Sequence, residues 1–142
     1  MVAQASLQSA ADFEMVTPDR AEPLLVTVVD DDPSVRESLP DLLRSCGFAA
    51  AAFESAAEFL ASELVAETGC LILDIAMPGM SGLDLQRELA AREISIPIVF
   101  ITAHWDEHVR PRALANGAVE CLLKPFGESD LLDAVRAGLS RR

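Results

Sequence analysis

Residues 70–82 read CLILDIAMPGMSG, and the reading of this stretch decides the fold. It opens on the apolar run Cys70-Leu71-Ile72-Leu73, too short to cross a membrane and bounded on its far side by Pro78 and Gly79. That is the pattern of a strand buried on both faces. Asp74 stands where the strand leaves the core. An ionised, unpaired carboxylate is costly in such a place. In an open α/β sheet, ligands gather at the carboxyl ends of parallel strands, so Asp74 marks a candidate site. The competing reading is an Asp that only ends the strand and takes nearby backbone amides. Met77-Pro78-Gly79 turns the chain, and Ser81-Gly82 leads into a helix.

Composition bounds the rest. The 142 residues make one domain with a single sizeable core, and a 51% hydrophobic content argues against disorder. No apolar run approaches ~18 residues, so no membrane span is expected. The first twenty residues lack a basic start and a continuous apolar stretch, so no secretory signal is expected. The net charge of −12 opposes direct binding of nucleic acid or an anionic membrane. Cys46, Cys70 and Cys121 lie far apart without metal-type spacing. They read as reduced thiols of a cytoplasmic protein, small hydrophobes in chemical character. All but one of the eleven basic residues are Arg, and the exception is Lys124. A compact ammonium differs from a guanidinium where a point charge must reach one anion oxygen.

Taken outward from residues 70–82, the chain alternates strands and helices. Residues 1–22 read as a mobile tail with one short helix around Ala5 to Glu14, and residues 23–142 as the folded unit. Leu24 to Val29 is the first buried strand and ends in Asp30-Asp31-Asp32. Asp32 caps a helix with Pro33 at its first position, and Gly47 stops it. Pro40 inside that helix predicts a kink or a local break. Ala49 to Phe53 is a weak second strand. Ser55 and Glu58 form a capping box for a second helix running to about Val65. The third strand is Leu71 to Asp74, and a third helix covers Gly82 to Arg92. It has Leu83, Leu85, Leu89 and Ala90 available for burial. Ile98 to Ile101 is the fourth strand, followed by Thr102. A fourth helix runs to Asn116-Gly117 and starts late, with Pro111 as its first residue. Val119 to Leu123 leads to Lys124-Pro125-Phe126, and the last helix covers Glu128 to Leu139.

Five βα units in alternation specify an α/β fold: a doubly wound, five-stranded parallel sheet covered on both faces. In the flavodoxin-like order 2-1-3-4-5, the strand ends carrying Asp30, Asp31, Asp74, Thr102 and Lys124 converge on one crevice. Three adjacent acids at the first strand end repel one another. Capping accounts for Asp32 but not for Asp30 and Asp31, whereas a divalent cation accounts for both. Mg²⁺ takes an octahedron of oxygens and keeps several waters. Asp31 and Asp74 can each supply an oxygen, Asp30 can hold a metal-bound water, and a carbonyl just past Asp74 can add another. Asp74 can then attack phosphorus as a covalent nucleophile. Lys124 neutralises the other side, and Thr102 with the backbone N–H groups near Ala76 and Ala103 binds the remaining oxygens.

The motifs VVDDD at 28–32, LILDIAMPGMSG at 71–82, FITA at 100–103 and LLKPF at 122–126 together resemble a receiver domain of the two-component response regulators. The resemblance covers about residues 24–139. Receivers of the nitrogen-fixation and LuxR-type transcription regulators look most similar, through DPSVRESL and AMPGMSGLDL. It implies that Asp74 is phosphorylated from a phosphohistidine of a sensor histidine kinase or phosphotransfer protein. It implies a Mg²⁺ (or Mn²⁺) site at Asp30, Asp31, Asp74 and the Ala76 carbonyl. Thr102 and Lys124 would sense the phosphoryl group, and the Lys124–Pro125 bond would be cis. The signal would pass through helix four, strand five and helix five to a downstream protein, an output domain or a second copy.

Two positions depart from the family. Where it often has a Tyr or Phe three residues before the Lys, this chain has Cys121, and Pro111 disturbs the fourth helix. Both point to an altered switch surface, with Thr102 coupled to that helix in another way. His104 lies near the path of hydrolytic water, where it could tune dephosphorylation or be simply solvated. Trp105 is expected close enough to the site for its fluorescence to report on it. The chain stops as its last helix completes, which fits a stand-alone receiver or the receiver part of a larger regulator. Two other classes compete. A pseudo-receiver would bind protein without phosphorylation. A haloacid-dehalogenase-type phosphatase would need a second acid two residues after Asp74, where Ala76 stands.

Overall fold

The structure, a computed structural model, describes residues 24–104 and 106–141. The expected tail and its short helix, and Trp105, lie outside the described residues. Five parallel strands pair in the order 2-1-3-4-5. They are β1 (Leu25–Val29), β2 (Ala49–Phe53), β3 (Thr68–Asp74), β4 (Ile98–Thr102) and β5 (Glu120–Leu123). The helices are α1 (Pro33–Ser45), α2 (Ala56–Ala61), α3 (Gly82–Ala91), α4 (Val109–Ala115) and α5 (Glu128–Leu139).

Period-two alternation along β3 divides the core. Leu71 and Leu73 join Phe59, Leu85, Leu89 and Phe100 on the face covered by α2, α3 and α4. Cys70 and Ile72 join Leu39, Leu43, Leu131 and Val135 on the face covered by α1 and α5. Every residue of β3 is buried. Burying one such Leu or Ile side chain contributes about 1.5–3 kcal/mol, so the central strand is the best-fixed support in the molecule.

Several local expectations need correction. Of the kink or local break expected at Pro40, the break is absent: the chain runs unbroken as helix through Pro40, which is buried as Leu39 and Leu43 are. Helix α2 stops at Ala61, because Ser62 caps a separate 3₁₀ turn, Glu63–Glu67. The Ser55 hydroxyl does accept the Glu58 N–H, but the Glu58 carboxylate takes the N–H of Glu54 rather than of Ser55. Strand β3 starts three residues earlier than expected, at Thr68, across an irregularity in its pairing with β1. The Thr68 hydroxyl donates its one proton to the Leu64 carbonyl at 2.7 Å. Its contact with Thr27 Oγ1 at 2.8 Å is therefore donated by Thr27, and both buried hydroxyls are satisfied. Ala90 is exposed rather than buried.

Helix α4 starts at Val109, two residues before Pro111. Pro111 thus falls in the first turn, where the missing N–H has no intrahelical acceptor to lose.

Candidate functional site

Asp30, Asp31, Asp74, Thr102 and Lys124 stand at the carboxyl edge of the sheet, and local pairing explains the placement of Asp30, Asp74, Thr102 and Lys124. Asp30 follows β1, where its N–H still bonds the Phe53 carbonyl at 3.1 Å. Asp74 ends β3, paired in register with Ile101. Thr102 ends β4, and its carbonyl takes the Lys124 N–H at 2.7 Å, which sets Lys124 beside β4. The Lys124–Pro125 peptide is cis.

The carboxylates of Asp30, Asp31 and Asp74 offer oxygens that all lie within 4.8 Å of one another. Asp30 is 0% exposed and Asp74 5%, whereas Asp31 is open to solvent. Lys124 Nζ lies 2.8 Å from Asp30 Oδ2 and 3.9 Å from Asp74 Oδ2. The lysine therefore serves the deeper acid first. Asp30 Oδ1 accepts the Asp32 N–H at 2.9 Å, so both oxygens of the fully buried carboxylate are matched. Asp74 Oδ1 has only the Ala76 N–H, at 3.3 Å.

The electrostatics follow from this unequal sharing. Burial, then the charge of Asp30, pushes the Asp74 carboxyl up to about 7, with Lys124 opposing both. For Lys124 itself, burial works against the charge. The Asp30 hydrogen bond and the charges of Asp74 and Asp30 outweigh it, and its pKa is raised. A cation placed among three carboxylate oxygens would relieve the repulsion that Lys124 leaves. An all-oxygen set with one solvent-facing member suits a hard cation that keeps some of its water.

The Thr102 hydroxyl is engaged by its own loop, accepting the His104 N–H and donating to the His104 carbonyl, both at 3.1 Å. Ala76 and Ala103 are exposed at the rim. His104 is exposed beside them, and Cys121 is buried at 3% exposure in the α4 side of the core. Burial, followed by the nearby Glu120 charge, raises the Cys121 thiol, and burial raises Cys70 to about 12. Both stay protonated as core thiols.

Sequence reasoning passed over two supports. Arg36 donates from Nη1 to the Asp30 carbonyl at 3.0 Å, closing the β1–α1 loop over the acids. It had no distinguishing sign among ten arginines. Gly82 packs its Cα directly on the backbone that carries Asp74. A Cβ there would lie 2.9 Å from Ile75 Cα and still nearer the Asp74 carbonyl. Its N–H bonds the Ile75 carbonyl at 2.9 Å. The Ser81-Gly82 pair was the available signal, but it reads equally well as a helix start.

A family model described as the response regulator receiver domain matches residues 26–136. Among curated relatives, Nodulation protein W of Bradyrhizobium diazoefficiens is 51% identical over 117 residues, which are 82% of this chain and 52% of that protein. Response regulator protein TodT of Pseudomonas putida is 46% identical over 121 residues, covering 85% of this chain and 52% of that one. Transcriptional regulatory protein FixJ of Azorhizobium caulinodans is 43% identical over 120 residues, 84% of this chain and 57% of its own. The chain spans about half the length of the curated relatives it matches. The low-resolution structure of response regulator StyR superposes with a TM-score of 0.78 at 52% identity, covering 84% of this chain and 60% of that one. The crystal structure of FixJ-N superposes with a TM-score of 0.77 at 35% identity, covering 85% and 97%.

Proposed function

The chain belongs to the response regulator receiver domain family of two-component systems, and on that premise we propose that Asp74 is its phosphoacceptor. The donor is a phosphohistidine of a sensor histidine kinase or of a phosphotransfer protein. A carboxylate oxygen of Asp74 attacks phosphorus, the P–N bond breaks, and the imidazole leaves with its electron pair and takes up a proton. The product is an acyl phosphate. Attack of water on the same phosphorus later releases inorganic phosphate and restores the carboxylate. This self-directed chemistry is that of a signalling domain acting on its own side chain.

The observation that carries this reading is the meeting of three carboxylates and the chain's one lysine in a single crevice. Mg²⁺ (or Mn²⁺) held by Asp30, Asp31, Asp74 and the Ala76 carbonyl supplies charge neutralisation for the incoming phosphoryl oxygens. Lys124 meets those oxygens from the other side, and the Ala76 and Ala103 N–H groups bind them. Thr102 gives up its bonds to His104 to reach the phosphoryl group. That exchange passes the signal to α4, β5 and α5, where Cys121 replaces the family's frequent aromatic ring. We take residues 23–142 as the receiver unit, working in the cytoplasm and acting on a downstream protein or output domain. No helix of the described residues is long and apolar enough to cross a membrane.

Acetyl phosphate with Mg²⁺, followed by intact mass spectrometry, tests the assignment. The wild type should gain one phosphoryl group and Asp74→Asn should not. A wild type that gains nothing, or a variant that gains as much, overturns it.

A further inference from the structure

Gln86 lies on α3 and is 7% exposed. A buried primary amide is costly unless its polar groups are paired. Its Nε2 donates to the Asn116 carbonyl at 3.3 Å and to the Ala113 carbonyl at 3.4 Å. Both acceptors belong to the C-terminal end of α4, where helix geometry leaves carbonyls without intrahelical partners. Gln86 Oε1 has no partner among the described residues. An apolar side chain would fill this space without stranding an acceptor. The amide's bonds go wholly to another helix, so its use lies there.

The two ends of α4 are held unequally. At the C-terminal end, Ala113 is 0% exposed and Ala118 3%. Ala118 N–H returns to the Ala113 carbonyl at 3.0 Å, and Gly117 at φ +99° closes the turn. The Gly117 carbonyl in turn accepts Arg141 Nη1 at 2.9 Å, from just past α5. At the other end, residues 106–108 are exposed, and His108 makes no side-chain cap. Asp106 takes the His108 N–H, a bond local to the loop. Among the described residues, the polar side-chain tie from this end to the sheet is Arg110 to Glu120 Oε1, from Nη2 at 2.8 Å and from Nε at 3.0 Å. Its side chains are 43% and 32% exposed. Such a pair is weak and screened by salt. The loosely held end is also the one joined through residues 103–108 to Thr102.

We propose that Gln86 is the positioning residue that anchors the C-terminal end of α4, so that a change at Thr102 swings the helix's N-terminal end about this fixed point. Its second half rests on the phosphorylation reading above; the anchor itself does not. The helix then moves as a lever, with Asn116-Gly117 as fulcrum between Gln86 on α3 and Arg141 beyond α5.

Backbone hydrogen–deuterium exchange on wild type and Gln86→Leu, free and with Mg²⁺ and beryllofluoride, tests both halves. In the free proteins, amides 113–118 should exchange about tenfold faster in the variant, with β3 amides unchanged. With beryllofluoride, the wild-type change should stay within residues 103–111, and in the variant it should spread through 112–118. A residue that only fills space would leave that distribution alone. Equal protection at 113–118 in the free proteins overturns the anchor, whatever happens at Asp74. A wild-type change covering both ends of α4 equally overturns the lever. If β3 protection falls in Gln86→Leu, Gln86→Met, with a flexible stem of similar volume, takes its place under the same criteria.

Discussion

Replacing Asp74 by Asn should stabilise the metal-free protein, although it removes the residue on which the proposed chemistry depends. The Asp74 carboxyl is raised from 3.8 to about 7, first by burial and next by the charge of Asp30. Its folded pKa lies above the unfolded value, so the folded state holds a proton that the unfolded chain has released. The resulting cost is absent below about pH 4, grows through the range up to about 7, and is complete above it. At about 1.4 kcal/mol for each tenfold, the interval from 3.8 to about 7 is worth about 4 kcal/mol. The opposing charge of Lys124 is already contained in that interval; the open mouth of the crevice screens part of the rest, and we expect about 2 kcal/mol at pH 8. Asn keeps the shape and the acceptor for the Ala76 N–H, and leaves the Lys124–Asp30 pair intact. Urea unfolding in EDTA at pH 8 and at pH 5 is the assay. The variant should be the more stable at pH 8, and its advantage should shrink by about half at pH 5, where the wild-type carboxyl is protonated. An Asn variant less stable than wild type at pH 8, or an advantage independent of pH, would refute the account of the site's electrostatics.

Three further outcomes follow from the same contacts. Mg²⁺ at about ten times its Kd should raise wild-type stability by about 1.4 kcal/mol in thermal unfolding and leave Asp31→Asn nearly unchanged; equal gains in both would place the cation elsewhere. Lys124→Met should cost about 3 kcal/mol in urea, because Asp30 at 0% exposure loses its counter-ion, and an unchanged midpoint would mean that the pair contributes nothing. Gly82→Ala should cost about 3 kcal/mol and slow acetyl phosphate labelling together, since its Cβ cannot enter without displacing the backbone of Asp74 and Ile75. Loss of stability with labelling intact would show that the displacement does not reach the carboxylate.

Where one physical signal dominates, the sequence is legible. The strands β1 and β4 are apolar or β-branched runs between turn residues, and helix α1 starts on Asp32 and Pro33 and stops before Gly47. Their order alone selects the sheet. The misread places are those where two local preferences compete. Pro40 signals a kink or a break, but the helix is not broken there, and Pro40 is buried along with Leu39 and Leu43. Glu58 satisfies the capping pattern yet bonds one residue further back. Thr68 looks like a polar boundary until Thr27 and Leu64 pair its hydroxyl inside the sheet. Gln86 carries no local signal at all, because its acceptors lie about thirty residues on.

The site was legible as a set of strand ends and illegible as a set of partnerships. Which residue types stand at the carboxyl edge follows from topology. Which acid the lysine serves does not, since that depends on depth, and depth is a property of the assembled sheet. Asp30 is the deeper acid, and its two oxygens are matched by Lys124 and the Asp32 N–H. Asp74 is left with one long hydrogen bond and a lysine at 3.9 Å, and its carboxyl rises accordingly. On the proposed phosphorylation of Asp74, the same division would let one side chain serve both resting and occupied states. A lysine already held 2.8 Å from Asp30 needs only a small shift to meet an oxygen carried on Asp74. Asp30 would then need another positive charge, and a cation among the three carboxylates would supply it.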